Sequence, residues 1–139
     1  MTQRWYTWNH EWFEVVECGG NDGGKVQIRC GLAPAFFAGA SELVGIELPT
    51  VGDIVKADDS IGMIEFSKAV FELRTLLDGE IVHVNAAGAD ITTLPDTLFE
   101  LRCDEQDFQR LITDVILIDT ATYESQIAAN EDHPAGGAV

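Results

Sequence analysis

Lys68 stands in the middle of the segment MIEFSKAVFEL, residues 63–73, between two stretches in which apolar residues alternate with others. That alternation predicts two β-strands joined in a hairpin, with the lysine at its tip. Ser67 and Ala69, the residues on either side, are too small to shield the amine. An exposed primary amine on a rigid tip is what enzymatic acylation of a lysine needs; the alternative is an ordinary solvated lysine.

The residues around Lys68 favour acylation. A Gly-Asp pair precedes it (Gly52 and Asp53), Glu65 lies three residues before it, and Gly79 follows at the start of EIVHVN. With these residues in place, the segment 51–85 resembles a lipoyl domain. The resemblance implies a flattened barrel of two β-sheets, with lipoic acid bound covalently to Lys68 at the tip of one hairpin. It also implies that Glu65 is read by the lipoylating enzyme.

Three further segments narrow the resemblance to one family. YTWNHEW at 6–12, GIELPTVGDIVKADDSIGMIEFSKA at 45–69 and LIDTATYESQIA at 117–128 are similar to segments of the glycine cleavage system H proteins. The resemblance implies a carrier without an active site of its own. A lipoate–protein ligase would load Lys68, with Glu65, Ser67 and Ala69 around the attachment site. The lipoyl-lysine arm would then shuttle a covalently bound intermediate between partner enzymes.

The segment NAAGADITTLPDTLFELRC, residues 85–103, departs from the family, because it lacks the usual Tyr-Gly-Glu-Gly-Trp. This change and the acidity favour the branch in which H-like proteins carry a sulfur-bearing group for a heterodisulfide-reductase-like sulfur oxidation complex. One alternative is a conventional H protein that carries the aminomethyl group for the glycine cleavage enzymes. Another is an unmodified or biotinylated barrel used for docking, although biotin carriers usually place the lysine between methionines.

Composition predicts a soluble globular protein. The 139 residues are 46% hydrophobic, which suits one domain, predicted over 1–130 with a flexible tail at 131–139. The net charge of −16 argues against nucleic acid or an anionic membrane as a partner and favours a monomer. We expect a cytoplasmic protein, since no signal peptide or spanning segment is visible. Cys18, Cys30 and Cys103 are expected to be reduced thiols that pack as small hydrophobic residues.

The order of elements predicts a mainly β fold with short helices, two of them at the C-terminal end. Strands are expected at 12–18 and 25–31, around a glycine-rich turn, and Asp104 should cap a helix over 105–113. Asp119 or Thr120 should cap the last helix. Many short strands with Gly and Pro turns, followed by helices, are typical of a small barrel or sandwich.

Two groups near the N-terminus have competing interpretations. His10 and Glu11 could form a metal pair, but no third ligand is near in the sequence, so a structural strand is favoured and no metal site is expected. Trp5, Trp8 and Trp12 could form a ligand cage, although packing in the core and at sheet edges is the favoured interpretation.

Overall fold

The structure, a computed structural model, describes residues 3–16, 23–37, 42–85 and 97–131. Their strands are β1 (Arg4–Tyr6), β2 (Glu11–Val16), β3 (Lys25–Leu32), β4 (Leu43–Glu47), β5 (Ile54–Val55), β6 (Ser60–Phe66), β7 (Ala69–Arg74), β8 (Gly79–Val84), β9 (Thr97–Asp104) and β10 (Ile118–Asp119). The α-helices are α1 (Glu105–Thr113) and α2 (Thr120–Glu131), and a 3₁₀ helix spans Pro34–Phe37.

The strands form two open antiparallel sheets. The larger sheet has the order β10-β1-β2-β3-β9-β8-β5, and the smaller one has the order β4-β6-β7, with β6 in the centre. Both sheets contribute to one hydrophobic core, in which Ile28, Ile81 and Leu101 of the large sheet cluster with Ile64 and Phe66 of the small one. The predicted fold is therefore confirmed: it is mainly β, built from two sheets like a flattened barrel, with short helices.

Both predicted helices are present, and each begins at an aspartate. The Asp104 carboxylate accepts a hydrogen bond from the Gln106 amide at 2.8 Å, which satisfies one of the unpaired N–H groups at the start of α1. The Asp119 carboxylate accepts from the Thr122 amide at 2.8 Å, so Asp119 is the capping side chain of α2. Across the described residues, no helix is long and apolar enough to cross a membrane. The predicted extent of the domain stays a prediction, and the tail from 132 onwards lies outside the described residues.

Gly62 of β6 lies against the backbone of Glu47 at the end of β4. A Cβ atom added there would overlap the carbonyl oxygen of Glu47, whereas one added at Gly45 would meet nothing nearer than the Glu65 carboxylate at 3.6 Å. The backbone of β4 cannot yield to such an overlap as the end of a flexible side chain could. Glycine at position 62 thus allows β4 to pack against β6 without a shift of its backbone.

We expect Gly62→Ala to lower the free energy of unfolding by about 2–3 kcal/mol, because β4 must shift away from β6. Gly45→Ala is the matched control, since it is the same substitution in the same sheet without a backbone overlap. Urea denaturation of both variants checks this. Equal stabilities for the two variants would show that the small sheet tolerates a Cβ at position 62.

Candidate functional site

Lys68 lies at the tip of the predicted hairpin. Strands β6 and β7 pair antiparallel up to Phe66 and Ala69, which leaves Ser67 and Lys68 as a two-residue turn. Both turn residues and Ala69 are exposed to solvent. The hairpin thus carries the lysine away from the core on a turn with small side chains on both sides.

The turn is fixed to the neighbouring strand as well as to its own hairpin. The Ser67 amide donates a hydrogen bond to the Glu42 carbonyl at 2.7 Å, directly before β4 begins to pair with β6. Beneath the turn, Phe66 is buried and its ring meets the edge of Phe71 with centroids 5.8 Å apart. Phe71 in turn meets Phe36 of the 3₁₀ helix at 5.2 Å. Backbone pairing on one side and aromatic packing below hold the tip in place.

Glu65 lies on the solvent side of the same sheet. It is exposed and stands between Gly45 of β4 and Val70 of β7 in the strand register. Its carboxylate extends over Gly45, because a Cβ on that glycine would lie 3.6 Å from Glu65 Oε1. Glu65 is thus accessible to an enzyme that approaches the hairpin, as the sequence predicts, while its recognition by such an enzyme stays a prediction.

A groove of about 550 Å³ lies beside the hairpin, and sequence analysis does not predict it. Its lining includes Trp8, His10 and Glu11 from the turn between β1 and β2, together with Phe36 and Phe71. These residues come from segments far apart in the chain, so no local motif could reveal the groove. The part of the groove that the sequence analysis singles out is the His10-Glu11 pair, for which a metal pair is one of two interpretations.

His10 is held by contacts to the last helix. It has a φ of 69°, a conformation that is uncommon for residues other than glycine. Its Nδ1 shares a hydrogen bond of 2.7 Å with the Tyr123 hydroxyl, and the Tyr123 ring stacks on Tyr6 with centroids 4.2 Å apart. Burial lowers the pKa of His10. Within the described residues, no three His, Cys, Asp or Glu side chains are grouped to hold a metal ion.

Comparison with known proteins identifies the family. A sequence profile described as "Glycine cleavage H-protein" matches residues 4–95, a range that includes Lys68 and its flanking strands. The chain belongs to the glycine cleavage H-protein family. It is 32% identical to the glycine cleavage system H protein of Rhodopirellula baltica over 128 residues, which cover 87% of this chain and 89% of that one.

Two more H-family proteins extend the comparison. The glycine cleavage system H protein of Bacillus licheniformis is 36% identical over 80 residues, which span 58% of this chain and 57% of that protein. The crystal structure of a glycine cleavage system H protein from Mycobacterium marinum matches with a TM-score of 0.62 and 26% identity, over 90% of this chain and 96% of the other. The fold likeness therefore extends beyond the profile match, which ends at residue 95.

The thiols of this H-family chain are unsuited to nucleophilic chemistry where they are described. Burial raises the pKa of Cys30 far above its ordinary value. Burial, with the nearby carboxylates of Asp107 and Asp104, raises the pKa of Cys103 to about 12. Since the thiolate is the reactive form, both cysteines act as small hydrophobic residues, as predicted. Cys18 lies outside the described residues.

The tryptophans divide between core and surface. Trp12 is buried, and the Arg4 guanidinium lies 3.8 Å from the centroid of its ring. Trp5 is partly buried and packs against the core. Trp8 is 54% exposed at the groove, so the prediction that it packs in the core or at a sheet edge is wrong. The residue lies in the turn after β1, where the chain has already left the sheet.

Glu11 supplies a test of the groove's electrostatics. Burial raises the pKa of its carboxyl, against a smaller opposing effect of the hydrogen bond from Thr7 at 3.1 Å. The folded state therefore binds the proton more tightly than the unfolded state, and this contribution to stability is lost as pH rises through the folded pKa. Glu11→Gln keeps the acceptor for Thr7 and should be more stable than wild type at pH 7.

The difference between Glu11→Gln and wild type should shrink as pH falls below the ordinary carboxyl range, because Glu11 is then protonated in both states. Urea denaturation from pH 3 to pH 8 measures it, with Glu80→Gln as the control at an exposed carboxylate. A gain of equal size in the control would show that only the net charge matters.

Proposed function

We propose that this protein is a lipoate carrier and that the lipoyl group is attached to Lys68 Nζ through an amide bond. The observation that carries the proposal is the position of Lys68. It is exposed at a two-residue turn between fully paired strands, inside the range that matches the H-protein family. Lys25 and Lys56, the other two lysines of the sequence, lie at the start of a strand and in a turn before β6.

The residues at the tip fit a lipoyl-lysine. Ser67 and Ala69 leave space around the amine, and the paired backbone on both sides gives the arm a rigid mount. When bound, the lipoyl group supplies a ring disulfide and, after reduction, a dithiol that can hold a cargo. The chain's own contribution is mechanical: it fixes one end of the arm, so that the cargo meets partner active sites at high effective concentration.

The proposed carrier has no reaction of its own, and catalysis belongs to the partner enzymes. For the cargo, we propose the aminomethyl unit of glycine, exchanged between glycine cleavage enzymes, because the relatives compared above are named glycine cleavage system H proteins. A lipoate–protein ligase or an equivalent enzyme would load Lys68. We place these steps in the cytoplasm.

We keep a second candidate for the cargo because residues 85–103 lack the family's Tyr-Gly-Glu-Gly-Trp stretch. This departure from the family favours a sulfur-bearing group passed to a heterodisulfide-reductase-like complex. The strong acidity adds weaker support. The relatives compared above give this partner no support, so it ranks second.

Attachment is tested by intact mass after incubation with lipoate, MgATP and a lipoate–protein ligase. Wild type and the Lys56→Arg and Lys25→Arg controls should gain one lipoyl-sized increment, whereas Lys68→Arg should gain none. Each substitution keeps the positive charge, so only the acylatable amine is removed. An increment that persists in Lys68→Arg would assign the attachment to another residue.

The cargo is tested with glycine decarboxylase. The lipoylated protein should release about one CO₂ from glycine per lipoyl group, because each ring disulfide is consumed as it is reduced and takes up the aminomethyl unit, while the same protein without lipoate should release none. No release with the lipoylated protein, beside an active H protein such as that of Rhodopirellula baltica, would exclude the aminomethyl cargo. The heterodisulfide-reductase-like system would then be the function to test.

A further inference from the structure

The small sheet has a solvent face beside Lys68 that nothing described above occupies. Two rows of residues cross it from β4 through β6 to β7, and we call it the outer face: Gly45, Glu65 and Val70 in one row, Glu47, Met63 and Glu72 in the other. The inward side chains of the same strands, Ile64, Phe66 and Leu73, are buried in the core. The outer face begins directly at the Lys68 turn.

The outer face combines exposed apolar area with negative charge. Met63 is 38% exposed and Val70 57% exposed, although both lie in paired strands. The carboxylates of Glu47, Glu65 and Glu72 frame them. Arg74 at the end of β7 reaches Glu72 at 3.2 Å and donates to the Asp58 carbonyl at 2.7 Å, so this cation is already engaged within the protein.

We infer that the outer face is the docking surface for the enzyme that acylates Lys68, and that this enzyme presents apolar residues ringed by lysine or arginine. The inference rests on the proposed function. Its support is charge complementarity, because an apolar patch flanked by the carboxylates of Glu47 and Glu65, with Glu72 already paired to Arg74, is matched by a basic partner surface. Glu47, Met63 and Val70, which lie outside the lysine turn, are the residues that it adds to Glu65.

The enzyme that acylates Lys68 and the enzymes that later act on the cargo must reach different parts of the protein. This difference favours the acylating enzyme as the one that binds the outer face. For acylation, the Lys68 amine itself must enter the active site, so the enzyme has to close on the hairpin and on the sheet that carries it. Later partners meet the far end of a long flexible arm and can dock elsewhere. A surface that begins at the turn is therefore placed for the enzyme that loads the arm.

The step that this docking serves is an acyl transfer from a lipoyl-adenylate, which the ligase makes from lipoate and ATP. The deprotonated Lys68 Nζ attacks the acyl carbon, the new C–N amide bond forms, and the bond from that carbon to the phosphate oxygen breaks. AMP leaves with the electron pair, and the amine gives one N–H proton to solvent. No oxidant or reductant is needed.

The test measures the initial rate of the lipoyl mass increment in the full-length protein, with lipoate, MgATP and a lipoate–protein ligase that modifies wild type. Glu47→Lys reverses a charge on the outer face, and Met63→Ser removes its apolar centre. The matched controls are Glu80→Lys and Ile54→Ser on the large sheet, where an exposed glutamate pairs with an apolar residue that is 72% exposed.

We expect kcat/KM for attachment to fall about tenfold in Glu47→Lys and about threefold in Met63→Ser, mainly through KM, with both controls near wild type. Added NaCl should slow wild type more than Glu47→Lys, since salt screens the attraction that the variant has lost. Circular dichroism melts of all four variants show whether they remain folded.

Two failures are distinguishable. If wild type is lipoylated and the outer-face variants keep its rate, or lose no more than their controls, the docking inference is overturned while the carrier function stands. If Lys68 of wild type gains no lipoyl group with any ligase tried, the proposed function itself fails, and the docking inference fails with it.

Discussion

The central position of strand β6 is the constraint on which the rest of the structure depends. It hydrogen-bonds to β4 on one side and β7 on the other, and it ends at the turn that carries Lys68. Gly62 lets β4 come close enough to pair, and the Glu42 carbonyl then receives the Ser67 amide. A turn held by two strands and a buried Phe66 has little freedom of its own. A long flexible arm needs such a mount, because tether length and not carrier motion should set where its end can reach.

Strand β6 also separates two environments, the hydrophobic core and the solvent. Its alternate side chains fill the core shared by both sheets, while Met63 and Glu65 face solvent beside the lysine. The period of two in a β-strand makes this division automatic. The proposed docking surface can therefore lie next to Lys68 without loss of core packing. Met63 and Val70 show this division most clearly, because both are apolar and exposed although they lie in paired strands.

The protein's electrostatics suit a carrier that works through partners. A net charge of −16 keeps such chains apart and directs them towards basic surfaces. The two described cysteines are buried with raised pKa values, so they would not compete as nucleophiles with the thiols of the proposed lipoyl arm. The groove beside the hairpin has the half-buried Glu11 and His10 in its wall. Its charge depends on a carboxyl whose pKa burial has raised.

The sequence by itself determined the elements whose signal is local. The alternation around Lys68 predicted the hairpin of β6 and β7 with the lysine at its tip, and Asp104 predicted the start of α1, because side-chain periodicity and capping act over a few residues. The lysine and its flanks were likewise readable, since the spacing lies within one hairpin. Of the two capping candidates for α2, only the hydrogen bond from the Thr122 amide selected Asp119.

Tertiary structure decided what depends on residues far apart in the chain. The groove joins residues 8–11 to Phe36 and Phe71, and His10 meets Tyr123 from the last helix, which no local pattern could indicate. Trp8 reads as a packing residue in the sequence, yet it faces solvent because the chain turns away from the sheet there. The outer face required the register of three strands. Hydrophobic periodicity shows which side of a strand faces out, but only strand pairing shows which residues stand side by side.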